Sequence, residues 1–199
     1  MLTEGGEQLM MEHVLVKKLA GNTPVLSGFA RGSLLLSKLI GQAQATEEPT
    51  ALYLDFQGVE VATSSYLRAG VLGFRDHCVK QRLNIFPVVA NANAEVIEEL
   101  RIALEGRNDA VVVCDLDKNG RASEKRIVGS LDEKQRRTLD LVAQEGEVDA
   151  QTLEKNYKKV EPIGATGWNN RLASLAEKAL LIESRRGRGK EYRFVMELT

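Results

Sequence analysis

Four cationic side chains fall within six positions near the end of the chain: Arg185, Arg186, Arg188 and Lys190. A cluster of cations this dense is typical of a surface that binds the phosphates of a nucleic acid backbone. The alternative is a run of charged residues on an ordinary solvated surface. They lie in the turn between two predicted strands, over residues 180–184 and 191–196, so we expect them to bind phosphate. From residue 151 onward the chain has 10 basic and 6 acidic side chains, or +4, against −1 for the whole chain.

A predicted helix over residues 166–178 supplies a second set of candidate DNA contacts. Its buried face carries apolar residues at helical spacing: Trp168, Leu172, Leu175 and Ala179. Residues that point away from this face could reach base edges in a major groove, where asparagine pairs with adenine and arginine with guanine. These candidates are Thr166, Asn170 and Ser174, with Arg171 and Asn169 nearer the buried face.

Ser64 and Ser65 open a predicted helix over residues 64–82. Ser64 has two interpretations. As a helix cap, its hydroxyl would satisfy an N–H group of the first turn. As a phosphorylation site, it would place a phosphate against free N–H groups and the positive end of the helix dipole. We expect the cap.

The same helix carries a candidate protein interface on the side opposite Val71. Ala69 and Gly73, four residues apart, leave a flat spot there where another backbone could approach. Either a neighbouring part of the same chain or a second protein could pack against it. The residues on this side are Tyr66, Ala69, Gly73 and His77.

No residue spacing in the chain predicts catalysis. The two histidines and two cysteines, His13, His77, Cys78 and Cys114, match no metal-ligand spacing. His77 and Cys78 are neighbours on a helix and point in different directions, so they make a poor base and nucleophile. Phosphate-binding loop and nucleophile-elbow motifs are missing from the sequence. We therefore expect a protein that is not an enzyme and that takes neither metal nor cofactor.

The composition is that of a globular protein, with 43% hydrophobic and 28% charged residues in 199. A net charge of −1 excludes a chain that is a polycation throughout. Two cysteines are too few for a disulfide scaffold. The longest apolar runs fall short of the ~18 residues of a membrane span, and the first residues lack the pattern of a secretion signal. We expect a reduced, cytoplasmic protein that does not bind membranes.

Strands and helices alternate along the first half. Strands are predicted over 13–19, 24–28, 50–56, 84–90 and 109–114, and helices over 30–44, 64–82 and 93–106. Because the strands are apolar on both faces, we expect an α/β fold with a mainly parallel sheet covered by helices. Asn119-Gly120 predicts a two-residue turn in a hairpin over residues 111–129 that links this sheet to the second half.

The second half begins at a predicted capping box from Ser130 to Glu133. The helix that follows is expected to end near Gln144, and Asp149 is expected to cap a second, shorter helix. The helix over 166–178 and the two strands complete a small α+β unit. We therefore divide the chain into domains at 1–129 and 130–199.

The segment Leu54–Gly70 resembles the strand–loop–helix signature of STAS domains, the fold of anti-anti-sigma factors. More broadly, residues from about 26 to 107 are similar to a STAS-like family of unknown function found in bacterial regulators. The matching residues are Asp55, Phe56, Val59, Ser64 and Ser65. In anti-anti-sigma proteins a partner kinase phosphorylates the first serine of the pair, which the resemblance places at Ser64. Thr63 and Tyr66 stand where that family has Asp and Gly.

Residues 130–199 resemble bacterial winged helix-turn-helix regulators. That family typically reads Asn-Arg-Leu-x-x-Leu-x-x-x-Gly-Leu-Leu before a basic wing, and the chain matches it from Asn170 to Leu181, with Ala179 in place of the glycine. The resemblance implies binding to double-stranded DNA. Because operators usually hold two half-sites, we expect a homodimer.

Together these resemblances imply a bacterial, cytoplasmic transcription regulator in which a STAS-like sensing or partner-binding domain is joined to a DNA-binding winged helix. The alternative is a protein-interaction module of a partner switch, controlled by serine phosphorylation, whose winged helix binds a protein instead of DNA. Glu177, on the outward side of the helix over 166–178, favours the alternative.

Overall fold

The computed structural model describes residues 13–187 and 189–197 of the chain. In the first half of the chain, strands and helices alternate. The strands are β1 (His13–Leu15), β2 (Val25–Leu26), β3 (Thr50–Asp55), β4 (Val61–Ala62), β5 (Ile85–Ala90), β6 (Ala110–Leu116) and β7 (Ala122–Gly129). The helices are α1 (Val16–Leu19), α2 (Phe29–Gln42), α3 (Ser64–Leu67), α4 (Gly73–Gln81) and α5 (Ala94–Leu104). A π-helical turn, Arg68–Leu72, joins α3 to α4 in one continuous helix.

The central sheet has five strands in the order β1-β3-β5-β6-β7. Its first four strands are parallel, and β7 runs antiparallel to β6 at one edge. The prediction of an α/β fold with a mainly parallel sheet is confirmed. β2 and β4 form a separate parallel pair of two strands.

Two local predictions in this half are wrong. The strand expected over residues 13–19 ends at Leu15 and turns into α1, because the adjacent Lys17 and Lys18 break the alternation of a strand. The turn between β6 and β7 spans residues 117–121 and is not a two-residue Asn-Gly turn. The Asp117 carboxylate accepts hydrogen bonds from the N–H groups of Asn119 and Arg121, both at 2.8 Å, and so favours the longer loop.

Side chains of the sheet strands alternate between two apolar cores. On one face the core lies under α2, α4 and α5; its strand residues include Leu52, Leu54, Val89, Val111 and Val113. On the other face the strand residues are smaller and belong to a second core: Ala51, Val88, Ala90, Ala110, Val112 and Cys114. The sheet is therefore buried on both sides, as the predicted strands require.

The second half consists of three helices followed by an antiparallel pair of strands. The helices are α6 (Glu133–Glu145), α7 (Ala150–Tyr157) and α8 (Ala165–Glu177). The strands are β8 (Leu181–Arg186) and β9 (Gly189–Phe194), and a short 3₁₀ helix, Val195–Glu197, follows them. Trp168, Leu172 and Leu175 of α8 are fully buried, which agrees with the periodicity of that helix.

One of the two predicted helix caps in this half is wrong. Asp149 accepts a hydrogen bond from the N–H of Thr152 at 2.7 Å and caps α7 as expected. α6, in contrast, is capped by Asp132, which accepts from the N–H of Gln135. Ser130 lies two residues before this cap position, where its N–H donates to the carbonyl of Asp109 beside the sheet and the helix has not yet begun.

The two halves share the second core. The sheet residues of that face form one apolar cluster with Leu139, Val142, Trp168 and Tyr192 of the second half. Polar bonds tie the halves at their edges: Asn108 and Asp132 exchange two hydrogen bonds, and Lys125 Nζ donates to the carbonyl of Met196 at 3.2 Å. The expected boundary at residue 130 falls where β7 ends, and the second half lies over the sheet. No helix within the described residues is long and apolar enough to cross a membrane.

A buried ion pair fixes α4 to the start of β6. Arg75 and Asp109 are 5% and 6% exposed, and the guanidinium donates to both carboxylate oxygens, at 2.9 and 2.8 Å. Arg75 also donates to the carbonyl of Ala110 and to Asp76. Removing Asp109 would take away the buried partner of the Arg75 guanidinium and leave it Asp76, whose side chain is 50% exposed, which is strongly destabilising for a buried charge.

We expect Asp109→Ala to lower the free energy of unfolding by about 3–5 kcal/mol. The exposed pair of Arg101 and Glu98, at 3.0 Å, is the matched control, and Glu98→Ala should cost less than about 1 kcal/mol. Urea unfolding of the three proteins measures both values. A cost for Asp109→Ala no larger than that of the control would show that the buried pair does not hold α4 in place.

Candidate functional site

The outward side of α8 carries two of the predicted DNA contacts as expected. Thr166 and Asn170 are exposed, whereas Trp168 between them is buried. Asn169 is half-buried, and its Oδ1 accepts a hydrogen bond from the hydroxyl of Tyr192 in β9 at 3.5 Å. α8 therefore offers Thr166 and Asn170 to a partner, with Asn169 at the edge that meets the hairpin.

Two other predicted contacts on α8, Arg171 and Ser174, are half-buried and form hydrogen bonds within the second half. Arg171 forms an ion pair with Glu161 and lies over the ring of Trp168, 5.2 Å from its centre. Ser174 accepts a hydrogen bond from Gln135 of α6 at 2.9 Å. Their DNA contacts stay predictions: Arg171 would have to leave Glu161 to pair with a base, whereas the Ser174 hydroxyl, which accepts from Gln135, keeps its own hydrogen to donate.

The hairpin of β8 and β9 places part of the predicted phosphate-binding set. Arg185 is exposed and lies opposite Lys190 in the strand register. Lys190 forms an ion pair with Glu183 at 2.8 Å, which reduces what it offers a phosphate. Arg188 and the side chain of Arg186 lie outside the described part of the structure, so their phosphate contacts remain predictions.

Three lysines at the end of α7 were missed by the sequence reasoning. Lys155, Lys158 and Lys159 are exposed and precede the loop that leads into α8, and α7 packs against α8. Three lysines within five residues are visible in the sequence, but the basic run at 185–190 is denser and was the stronger indication of a phosphate-binding surface. These lysines enlarge the positive surface on the side of the second half where α7 meets α8.

The serine pair lies at the start of α3, but neither serine caps it. The cap position belongs to Thr63, whose hydroxyl accepts from the N–H of Gly28 at 3.2 Å. The N–H of Ser64 instead donates to the carboxylate of Glu99 in α5, at 2.5 Å. Ser65 is exposed, with its hydroxyl 3.2 Å from that of Thr63. The expected Ser64 cap is therefore wrong, and Glu99 already places a negative charge at the helix end where phosphorylation, the alternative, would place a phosphate.

The predicted interface around Ala69 and Gly73 is also corrected. Tyr66 and Ala69 are buried, because α2 of the same chain packs on this face. A Cβ added to Gly32 of α2 would lie 2.9 Å from the Cβ of Ala69, which shows how closely the two helices approach. Gly73 faces Leu36 of α2, and His77 is half-buried. The flat spot therefore serves packing within the chain.

A polar cleft that the sequence did not reveal lies at the carboxyl ends of the parallel strands. Asp55 at the end of β3 is nearly buried, and its carboxylate is 2.7 Å from Nε2 of His13 in β1. The same carboxylate accepts from the side chain of Asn91 at 2.9 Å and from the N–H of Gln57 at 2.7 Å. Asn91 follows β5 and accepts in turn from the N–H of Leu116 at 2.8 Å.

We use the name polar cleft for the space bounded by His13, Tyr53, Asp55, Asn91 and the turn at residues 117–120, with a volume of about 680 Å³. Asp55 fixes the imidazole through Nε2, an arrangement that orients a histidine for proton transfer or for ligand binding. Sequence reasoning passed over His13 because its partner lies 42 positions away. The sequence feature that could have predicted the cleft is the position of two polar residues: Asp55 ends one predicted parallel strand, and Asn91 directly follows another.

The two cysteines take no part in a site. Both are buried, and burial raises the pKa of Cys78 to about 12 and that of Cys114 to about 11. Their thiols are therefore protonated and unreactive near neutral pH. Among residues 13–187 and 189–197 there is no group of three or more His, Cys, Asp or Glu side chains that could hold a metal ion.

No protein-family model, curated protein or solved structure matches the chain. The resemblances to STAS domains and to winged helices therefore rest on the sequence motifs and on the order of the elements.

The structure predicts that Glu99, and not the Ser64 hydroxyl, stabilises the start of α3. Glu99→Ala should lower the free energy of unfolding by about 1–2 kcal/mol, since it removes a charged acceptor at a helix N-terminus. Ser64→Ala is the control within the same contact and should cost less than about 0.5 kcal/mol. Thermal or urea unfolding measures both changes in the free energy of unfolding. A larger loss for Ser64→Ala than for Glu99→Ala would restore the interpretation of Ser64 as the cap.

Proposed function

We propose that the protein is a DNA-binding regulator whose second half is a winged helix and whose first half is a STAS-like sensing or partner-binding domain. α8 is the recognition helix, and β8 and β9 form the wing. The observation that carries this proposal is the exposure of Thr166 and Asn170 on the outward side of α8, beside a basic hairpin.

The hairpin and α8 are held together at the edge that would face DNA. The hydroxyl of Tyr192 in β9 lies between two acceptors, Oε2 of Glu183 in β8 at 3.1 Å and Oδ1 of Asn169 in α8 at 3.5 Å, and can donate its one hydrogen to either. A helix that enters a major groove would therefore bring Arg185 of the hairpin toward the neighbouring backbone. The exposed lysines at the end of α7 would add further phosphate contacts.

A homodimer is part of the proposal, since one winged helix gives a small contact and operators usually contain two half-sites. The Ala69–Gly73 face does not supply the dimer surface, because α2 covers it. We propose a homodimer only because operators usually contain two half-sites.

The second candidate function is a protein-interaction module without DNA. Two of the cations expected to bind DNA are neutralised inside the chain, Arg171 by Glu161 and Lys190 by Glu183. Glu177 is exposed on α8 as well. A surface of mixed charge on this helix fits a protein partner better than a polyanion.

Salt dependence tests the two functions. If Arg185, Arg186 and Arg188 each neutralise one phosphate, replacing all three by Ala should reduce the slope of log affinity against log salt by about 2.7 per protomer. Arg107→Ala, an exposed arginine in the first half, is the matched control and should leave the slope unchanged. Fluorescence anisotropy with a labelled random duplex at several salt concentrations measures it. If the full chain binds no duplex at micromolar concentration, the protein-interaction function takes its place.

Sequence preference tests the role of Asn170 separately. We expect selection from a random duplex library to yield a preferred site, and Asn170→Ala to lose about 1–3 kcal/mol of the preference for that site over a scrambled duplex. The salt slope should stay the same, because an uncharged side chain neutralises no phosphate. Equal loss of affinity for both duplexes would assign Asn170 to backbone contact instead.

A further inference from the structure

We propose that the polar cleft binds a small molecule through an oxyanion group, either a carboxylate or a phosphate. The proposal concerns the sheet of the first half and does not depend on DNA binding by the second.

The position of the cleft favours a ligand site. It opens at the carboxyl ends of β3, β5 and β6, where open parallel sheets bind their ligands because the strand ends and the loops after them diverge. Its volume of about 680 Å³ lies in the range of small-molecule pockets, roughly 300–1,000 Å³.

The two carboxylates that line the cleft are already used by the chain. Asp55 accepts from Gln57 and Asn91 on one oxygen and faces His13 with the other. Asp117 accepts from the N–H groups of Asn119 and Arg121 and so shapes the turn. Asp55 is therefore engaged through both of its oxygens, and a cation there would have to compete with these bonds; Asp117, which is exposed, uses one oxygen, Oδ1, for the turn.

Two side chains that line the cleft, His13 and Lys118, can bind an anion. His13 is 45% exposed, and its Nδ1 has no hydrogen-bond partner among the described residues. Lys118, on the turn at 117–120, is exposed and forms no ion pair within the described part of the chain. When both ring nitrogens carry a hydrogen, His13 donates through Nε2 to Asp55 and presents its Nδ1–H to an oxyanion in the cleft. Lys118 would supply the second charge.

Calorimetric titration of the full chain with inorganic phosphate, and separately with succinate, tests the proposal at constant ionic strength. We expect saturable binding of at least one, and the comparison of the two identifies the oxyanion. Lys118→Met should weaken that binding about tenfold, the worth of one charge-assisted hydrogen bond. Lys118 is exposed on a turn, so its substitution should leave the fold intact. Lys80→Met, an exposed lysine on α4, should leave the affinity unchanged.

Two further measurements make the result specific to the cleft. His13→Gln should also weaken binding, since the amide cannot supply the imidazolium. Replacing Arg185, Arg186 and Arg188 by Ala should have no effect, which separates the cleft from the basic hairpin that could also attract phosphate. The proposal is overturned if neither anion binds at millimolar concentration, if neutral glucose binds as tightly, or if Lys118→Met retains full affinity while the hairpin variant loses it.

Discussion

The burial of one sheet on both faces is the constraint on which the rest of the structure depends. β3, β5 and β6 present apolar side chains in both directions, so exposure of either face would place contiguous apolar surface in water. Helices α2, α4 and α5 cover one face. The second half, with Trp168 and Tyr192 in the shared core, covers the other. The small residues on that face, among them Ala51, Ala90 and Ala110, let the second half approach closely.

This arrangement also decides where a ligand can reach the sheet. With both faces covered, its remaining approach is along the edges and strand ends, and the polar cleft lies at the carboxyl ends. Tyr53 and Leu116, which line the cleft, also pack against the core shared with the second half. A molecule in the cleft would therefore contact residues whose packing extends to α6 and α8, a physical route by which the two halves could influence each other.

The parts of the fold that could be predicted from the sequence are those that local residue patterns determine. Short runs of residues that are apolar on both faces predicted the parallel strands, and helical spacing predicted the buried face of α8 that begins at Trp168. The failures were contacts between distant residues. The cap of α6 depends on Asn108 holding Asp132, the engagement of Arg171 depends on Glu161, and the cleft depends on His13 meeting Asp55. No local pattern distinguishes a free arginine from a paired one, so the sequence could not show that Arg171 meets Glu161 in the loop before α8, or that Ser174 meets Gln135 of α6.

The connection between the halves limits how a signal could act on a DNA-binding second half. β7 ends at Gly129, with φ +117°, where an added Cβ would collide with the backbone of Asp109 and Ala110. Asp109 is itself held by the buried Arg75. The chain thus leaves the sheet in a fixed geometry, and the second half then packs on the sheet it has left. Swinging α8 away as a tethered unit would expose the second face of the sheet to water at a large cost. Under the proposed function, a signal would therefore act through the packing at the shared core or the association of two copies, and not by releasing a loosely linked domain.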